Sequence, residues 1–260
     1  MERFDWLEVD KPKPKPAPDK QEEFDARHYF IEAEQAYRCG RYEAALRGYG
    51  KALGEQADLA AAWLGQVLCL VELGELTEAK LWASKALDRF PQSAELLAAK
   101  ALALARLDER SDALTLSDRA IAKKEAGFRV WLLRGLMLLR LDPQNRHDGC
   151  FVKALEEGPK DGGLELRIGA GHLAQGDAPT AKGYLLRAVE LDSQNPLAWA
   201  KLGQCFERLY ALGRARDCYE RALALGPESS QGLLEAVARL NSQGVWTRLC
   251  AWLRGLRSSS

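Results

Sequence analysis

The side chains in this 260-residue sequence that could carry nucleophilic, redox or metal chemistry are six cysteines and three histidines. Cys39, Cys69, Cys150, Cys205, Cys218 and Cys250 are scattered, and no two form a C-x-x-C pair. The histidines are also far apart in sequence. Structural zinc needs thiolate and imidazole ligands at short, regular spacings, so no metal site is expected. Scattered cysteines at helical positions act as small buried hydrophobes. Cys205 and Cys218 fall on the two helices of one expected hairpin and could meet, although a cytosol keeps thiols reduced. His147 has no carboxylate or nucleophile evidently placed to make it a general base. Gly169-Ala-Gly171-His-Leu-Ala174 spells the G-x-G-x-x-A of a dinucleotide-binding turn, but that turn must follow a strand within a βαβ unit. No strand pattern precedes it. An enzyme would need ionisable groups converging in one pocket, and the sequence offers none, so neither catalysis nor a cofactor is expected.

What the chain does offer is periodicity. The stretch Pro196–Pro227 places Trp199, Leu202, Gly203 and Phe206 before a turn, then Ala215, Tyr219, Ala222 and Pro227. Stepping back from Ala222 by 34 residues meets Ala188, Ala154, Ala120, Ala86 and Ala52, each followed by an apolar residue. Trp199, Trp131 and Trp63 share a phase, as do Pro227, Pro159 and Pro91. Gly203, Gly169 and Gly135 share another. Small residues at fixed phase let antiparallel helices approach closely, and proline stops the second helix of each pair.

The order W-x2-L-G-x2-Y, A-x3-F, P, with aromatics exchanged at two places, resembles the tetratricopeptide repeat, a helix–turn–helix unit of 34 residues. The resemblance covers about nine tenths of the chain. It implies an all-α, right-handed superhelical solenoid of about six helix–turn–helix repeats with a C-terminal capping hairpin, because one hairpin cannot bury its own apolar face.

The expected organisation is an arm at 1–18, a solenoid at 19–257 and a serine tail at 258–260. Repeats fall at about 26–59, 60–93, 94–127, 128–161, 162–195 and 196–229, with the closing hairpin at 230–257. Asp19-Lys-Gln-Glu22 resembles a capping box, so the first helix is expected to run from there to about Arg38. Repeat three departs from the pattern, with Leu97 for Trp, Asp108 for the turn glycine and Ser117 for the aromatic. Repeat four carries Asp142-Pro143, His147 and Gly149 in its second half, so that helix is expected to start late, near Asp148. Repeat five has Glu165 in place of Trp.

The 37 basic and 37 acidic residues cancel, which argues against a nucleic-acid binder with a basic stripe. No apolar run approaches the ~20 residues of a membrane span, and the N-terminus lacks a signal-peptide pattern. A cytoplasmic protein is expected, with another protein or a peptide segment as partner and with neither nucleic acid nor membrane.

In the family that the chain resembles, the first helix of each hairpin lines a concave peptide-binding groove. That implies Phe30, Glu34 and Tyr37 from repeat one, then Leu64, Leu68 and Val71. Ala98, Leu102 and Ala105 follow from repeat three, and Leu132, Leu136 and Leu139 from repeat four. Leu166, Ala170 and Leu173 come from repeat five, and Ala200, Gln204 and Glu207 from repeat six. Arg106, Arg140 and five other cations (Arg27, Arg38, Arg129, Arg167, Lys201) would rim it, favouring an acidic–apolar ligand. The competing reading is that these leucines pack hairpin on hairpin. The lysine, asparagine and arginine set by which some family members hold chaperone C-termini is missing here. The arm offers its own ligand: Phe4, Trp6, Leu7 and Val9 among acids, followed by a Lys/Pro spacer that favours extended polyproline II. It is expected to dock over Leu64, Leu68, Leu102 and Leu136, in cis or in a neighbouring copy. Self-assembly through the arm, and a regulatory subunit of an enzyme complex, are the alternatives.

Overall fold

The computed structural model describes residues 25–144, 148–226 and 232–241. Among them every regular element is a helix. The described residues form two compact units, divided between Pro159 and Lys160.

The first unit stacks four hairpins: α1 (Ala26–Arg38) with α2 (Tyr42–Glu55), α3 (Ala60–Leu73) with α4 (Leu76–Arg89), α5 (Ala94–Arg106) with α6 (Arg110–Ile121), and α7 (Phe128–Leu141) with α8 (Asp148–Glu157). The second holds α9 (Gly163–Ala174) with α10 (Ala178–Leu191), and α11 (Pro196–Arg208) with α12 (Leu212–Leu225). A last helical stretch, α13, covers 232–241 and buries Ala236 and Leu240. The odd helices α1, α3, α5 and α7 begin 34 residues apart. Each unit has its own core, one spanning Ala33 to Met137 and the other Leu166 to Leu240.

The in-phase residues explain how the hairpins close. Ala52, Ala86, Ala120, Ala154, Ala188 and Ala222 are each at most 1% exposed. A Cβ on Gly203 would lie 2.5 Å from the Tyr219 ring, so the glycine is what lets α11 and α12 come together. The same logic absorbs Gly169, whose Cβ would meet Leu185 at 2.7 Å; its place in a G-x-G-x-x-A string is packing.

Caps set several starts. The Ser93 hydroxyl accepts from the Leu96 amide, and the Asn195 side chain accepts from the amides of Leu197 and Ala198 ahead of Pro196, the first residue of α11. Proline is well placed there because its missing N–H would have no helical partner. The turn after α3 uses Gly74 at φ 81, and Gly40 takes φ 77 after α1.

One boundary differs from expectation. α1 starts at Ala26, not at Asp19, because Asp25 is extended (φ −75, ψ 168) and its carboxylate accepts from the His28 amide. Asp25 is the N-cap; Asp19–Glu22 lie outside the described residues, as do His147, Pro227 and Cys250. α8 starts at Asp148, late as expected. In repeat three Asp108 itself adopts φ 62 in the turn where glycine is missing, a conformation that short Asn and Asp side chains tolerate. Ser117, in the place of the aromatic, is buried and accepts from the Arg134 guanidinium at 2.8 Å.

Candidate functional site

The inner-face positions divide by burial. On α1, Phe30, Glu34 and Tyr37 are half-buried and form one aromatic–acid cluster with residues of α2. The Phe30 and Tyr49 rings lie 5.8 Å apart and those of Tyr37 and Tyr42 5.4 Å. The Tyr49 hydroxyl donates to the Glu34 carboxylate at 2.6 Å. Burial first, then the Glu34 charge, pushes the Tyr49 hydroxyl far above the ordinary phenol range. Tyr49 therefore stays a neutral donor that holds Glu34 in place.

Deeper in the first unit the picture changes. Leu64, Leu68 and Val71 on α3 are 4, 7 and 0% exposed, and Ala98, Leu102 and Ala105 on α5 are 1% or less. Ala62 to Val71 are buried without a break, which is the pattern of a helix enclosed on all sides. On α7, Leu132 and Leu139 are buried while Leu136 is half-buried. In the second unit Leu166 and Leu173 are buried, Ala170, Ala200 and Glu207 are half-buried and Gln204 is exposed. The arm residues Phe4, Trp6, Leu7 and Val9 lie outside the described residues.

Several rim cations have partners one repeat earlier. Arg106 donates to the Val71 carbonyl at 2.8 Å and sits 3.8 Å from Glu72. Arg129 lies 3.6 Å from Glu95, and Arg140 donates to Asp108 at 3.0 Å. In the second unit the Arg208 guanidinium donates to the Leu173 carbonyl, the counterpart of the Arg106 bond. Arg106 and Arg208 thus add a second donor to carbonyls in the last turn of α3 and α9, which also accept from the Gly74 and Gly176 amides. Glu207 accepts from the Tyr219 hydroxyl at 2.8 Å and from Arg239 at 2.7 Å.

The thiols are held away from chemistry. Burial pushes Cys69 well above its usual range, and burial pushes Cys218 up to about 11. Cys39, Cys69, Cys150, Cys205 and Cys218 are free, and the Cys205 thiol donates to the Ala178 carbonyl at 3.2 Å. Among the described residues no group of three His, Cys, Asp or Glu side chains could hold a metal ion.

Sequence reasoning missed Gln66. It is fully buried, and neither atom of its amide has a hydrogen-bond partner. The sequence carries little signal: the same phase holds Lys100 and Arg134 in repeats three and four and Ile168 and Leu202 in repeats five and six.

A family model for the tetratricopeptide repeat matches residues 32–94 and 166–230. A TPR repeat-containing protein of Pseudomonas aeruginosa is 35% identical over 72 residues, which are 28% of this chain and 69% of that protein. The chain belongs to the tetratricopeptide repeat family. The unmatched residues between the two segments hold repeats three and four, where the signature residues are most often replaced. Among solved structures, a tetratricopeptide repeat protein from Parabacteroides merdae superimposes with a TM-score of 0.54 at 17% identity, over 83% of this chain and 84% of that one. The APC/C hetero-tetramer Cut9–Hcn1 gives a TM-score of 0.51 at 17% identity over 83% of this chain, which spans 42% of the matched chain. These likenesses concern the fold. No described helix of this tetratricopeptide repeat chain is long and apolar enough to cross a membrane.

Proposed function

We propose that this tetratricopeptide repeat protein is a cytoplasmic interaction adaptor or scaffold without chemistry of its own. Its inner helix faces take a peptide or helix with apolar anchors and acidic flanks. The observation that carries this reading is the half-buried cluster of Phe30, Glu34 and Tyr37, an accessible aromatic surface held rigid by Tyr42 and Tyr49. Rigid aromatics offer large contact area at small entropic cost. Leu136 extends the proposed site, with Arg140 beside Asp108 and Arg106 beside Glu72 at its edge. Leu64, Leu68, Val71, Leu102, Ala105, Leu132 and Leu139 act in this reading as the buried support beneath the contact surface of the first unit, and Leu166 and Leu173 as that of the second unit's own inner face. Burial holds the Cys69 and Cys218 thiols above their usual range, which suits packing rather than nucleophilic chemistry.

Selection from a random peptide library on the full-length chain tests the reading. Ligands with Leu, Phe or Trp anchors and acidic flanks are expected. Phe30→Ala with Tyr37→Ala should weaken them at least tenfold, while Leu81→Ala, at an exposed position of α4, leaves them unchanged. Ligands indifferent to Phe30 and Tyr37, or none at all, would overturn it. Light scattering separates the alternative of a self-assembling scaffold.

A further inference from the structure

Hairpin one differs from hairpin two at four positions of matching phase. Ala33, Ala36, Ala44 and Gly48 stand one period before Val67, Leu70, Glu78 and Trp82. In hairpin two the Trp82 indole is buried and lies against Trp63, ring centroids 5.6 Å apart. Hairpin one has no side chain at the Trp82 phase: α1 closes onto Gly48, where a Cβ would lie 2.9 Å from that of Ala33, and the four small positions floor a cleft of about 330 Å³ along the α1–α2 seam. Arg41, Arg47 and Lys51 stand along the α2 edge, with Glu32 and Gln35 along the α1 edge. Hairpin two buries these last two phases, as Gln66 and Cys69. A volume at the small end of ligand sites, a floor of small residues and a cationic edge suit one flat, bulky side chain carried on an acidic segment.

The chain contains such a segment. Met1–Asp10 reads MERFDWLEVD, with Glu2, Asp5, Glu8 and Asp10 around Trp6 and Arg3 as its one basic side chain. It lies outside the described residues. We propose that Trp6 docks in cis on the cleft of hairpin one, laying its indole over the seam between α1 and α2. The arm's acids then face Arg41, Arg47 and Lys51, an arrangement that sets orientation and encounter more than affinity. The reach is sufficient. Fourteen residues separate Asp10 from Asp25, each spanning up to ~3.3 Å when extended, whereas Glu32 to Ala36 lie roughly 9–15 Å along α1 from its start. Tethering gives an effective concentration of about millimolar, enough to hold a weak motif. At the expected alternative position Leu64, Leu68 and Leu102 are 7% exposed or less; in the cleft Ala33 and Ala36 are equally covered, but Ala44 and Gly48 are half-buried and leave surface to the arm. This docking is independent of peptide binding at the inner face, which the library selection measures separately.

Fluorine NMR of the full-length chain labelled with fluorotryptophan tests it, with Trp6→Phe identifying the Trp6 resonance. In the wild type that resonance should sit away from the free-indole position, at every dilution. Arg47→Glu with Lys51→Glu should return it to the free position, and adding Asp5→Lys with Glu8→Lys should restore the shift. Ala44→Gln, which fills the rim of the cleft, should release it as well. Circular dichroism checks that each variant keeps its thermal midpoint. A Trp6 signal at the free-indole position in the wild type overturns the proposal. So does a shift that vanishes on dilution, which would mean a second copy's arm. A shift that survives both the charge reversal and Ala44→Gln would place the arm elsewhere, the inner face included, and overturns it too.

Discussion

At the residue scale, two side chains sit where the fold would prefer others, and each yields a measurable expectation. Gln66 is enclosed with both amide atoms lacking partners. A buried polar group without a hydrogen bond costs roughly 1–3 kcal/mol. Gln66→Leu, which installs the Leu202 residue at the same phase with a similar volume, should raise stability by about 1 kcal/mol or more in urea titrations. A lower midpoint would mean that the amide is satisfied in solution. Tyr210 takes φ 58 and is 89% exposed. Left-handed backbone costs a residue with a Cβ roughly 1–2 kcal/mol, and the equivalent turns use Gly40, Gly74 and Gly176. Tyr210→Gly should therefore stabilise the second unit by about 1 kcal/mol, less what glycine loses in entropy; a drop in thermal midpoint would refute the strain. The Tyr210 oddity is visible in the sequence once the repeats are laid in phase; that of Gln66 is not, because Lys100 and Arg134 hold the same phase in the next two repeats. The burial of Leu64, Leu68 and Leu102 was not, because their spacing fits an exposed inner face as well as an enclosed one. Only the stacking of neighbouring hairpins decides between them.

At the element scale, α1, α5, α10 and α11 start on side-chain caps, and the hairpins close on small residues at contact points. Asp177 caps α10 by accepting from the Thr180 amide, and it also lies 3.2 Å from the His172 ring nitrogen. Burial works to raise its pKa, but the bonds to Thr180 and the nearby His172 outweigh burial and leave it lowered. A carboxylate with a depressed folded-state pKa contributes stability that is full above its unfolded pKa, roughly 3.9, and is lost as pH falls through the folded value. Asp177→Ala should thus cost about 1 kcal/mol at neutral pH. The gap to wild type should narrow as pH falls below about 4; a gap independent of pH would show that the charge plays no part. The late start of α8 was legible from Asp142-Pro143 because proline excludes helix by its own chemistry. The start of α1 was misread because Asp19 and Asp25 both carry capping side chains, and local sequence does not rank two caps.

At the scale of the whole molecule, the period was legible because each repeat states the same constraint again, from Ala52 to Ala222. The division into two compact units at Pro159 was less so, since the 34-residue phase continues through it. Each unit has a separate core, and stability in repeat proteins is approximately a sum of repeat and neighbour terms. Damage to one unit should therefore stay largely within it. Gly203→Ala offers the cleanest lesion: its new Cβ would sit 2.5 Å from the Tyr219 ring. The ring is 2% exposed and its hydroxyl is tied to Glu207, so it has little room to withdraw. Overpacking of this kind costs roughly 1–3 kcal/mol. Native-state hydrogen exchange should then show amides of α9 to α12 losing protection by about tenfold or more, while those of α3 to α5 change less than twofold. Loss of protection in equal measure across both units would mean that the chain unfolds as one cooperative block. The same measurement on Ala52→Phe, at a fully buried position of α2, should give the mirror result, with α1 to α4 opening and α11 to α12 holding.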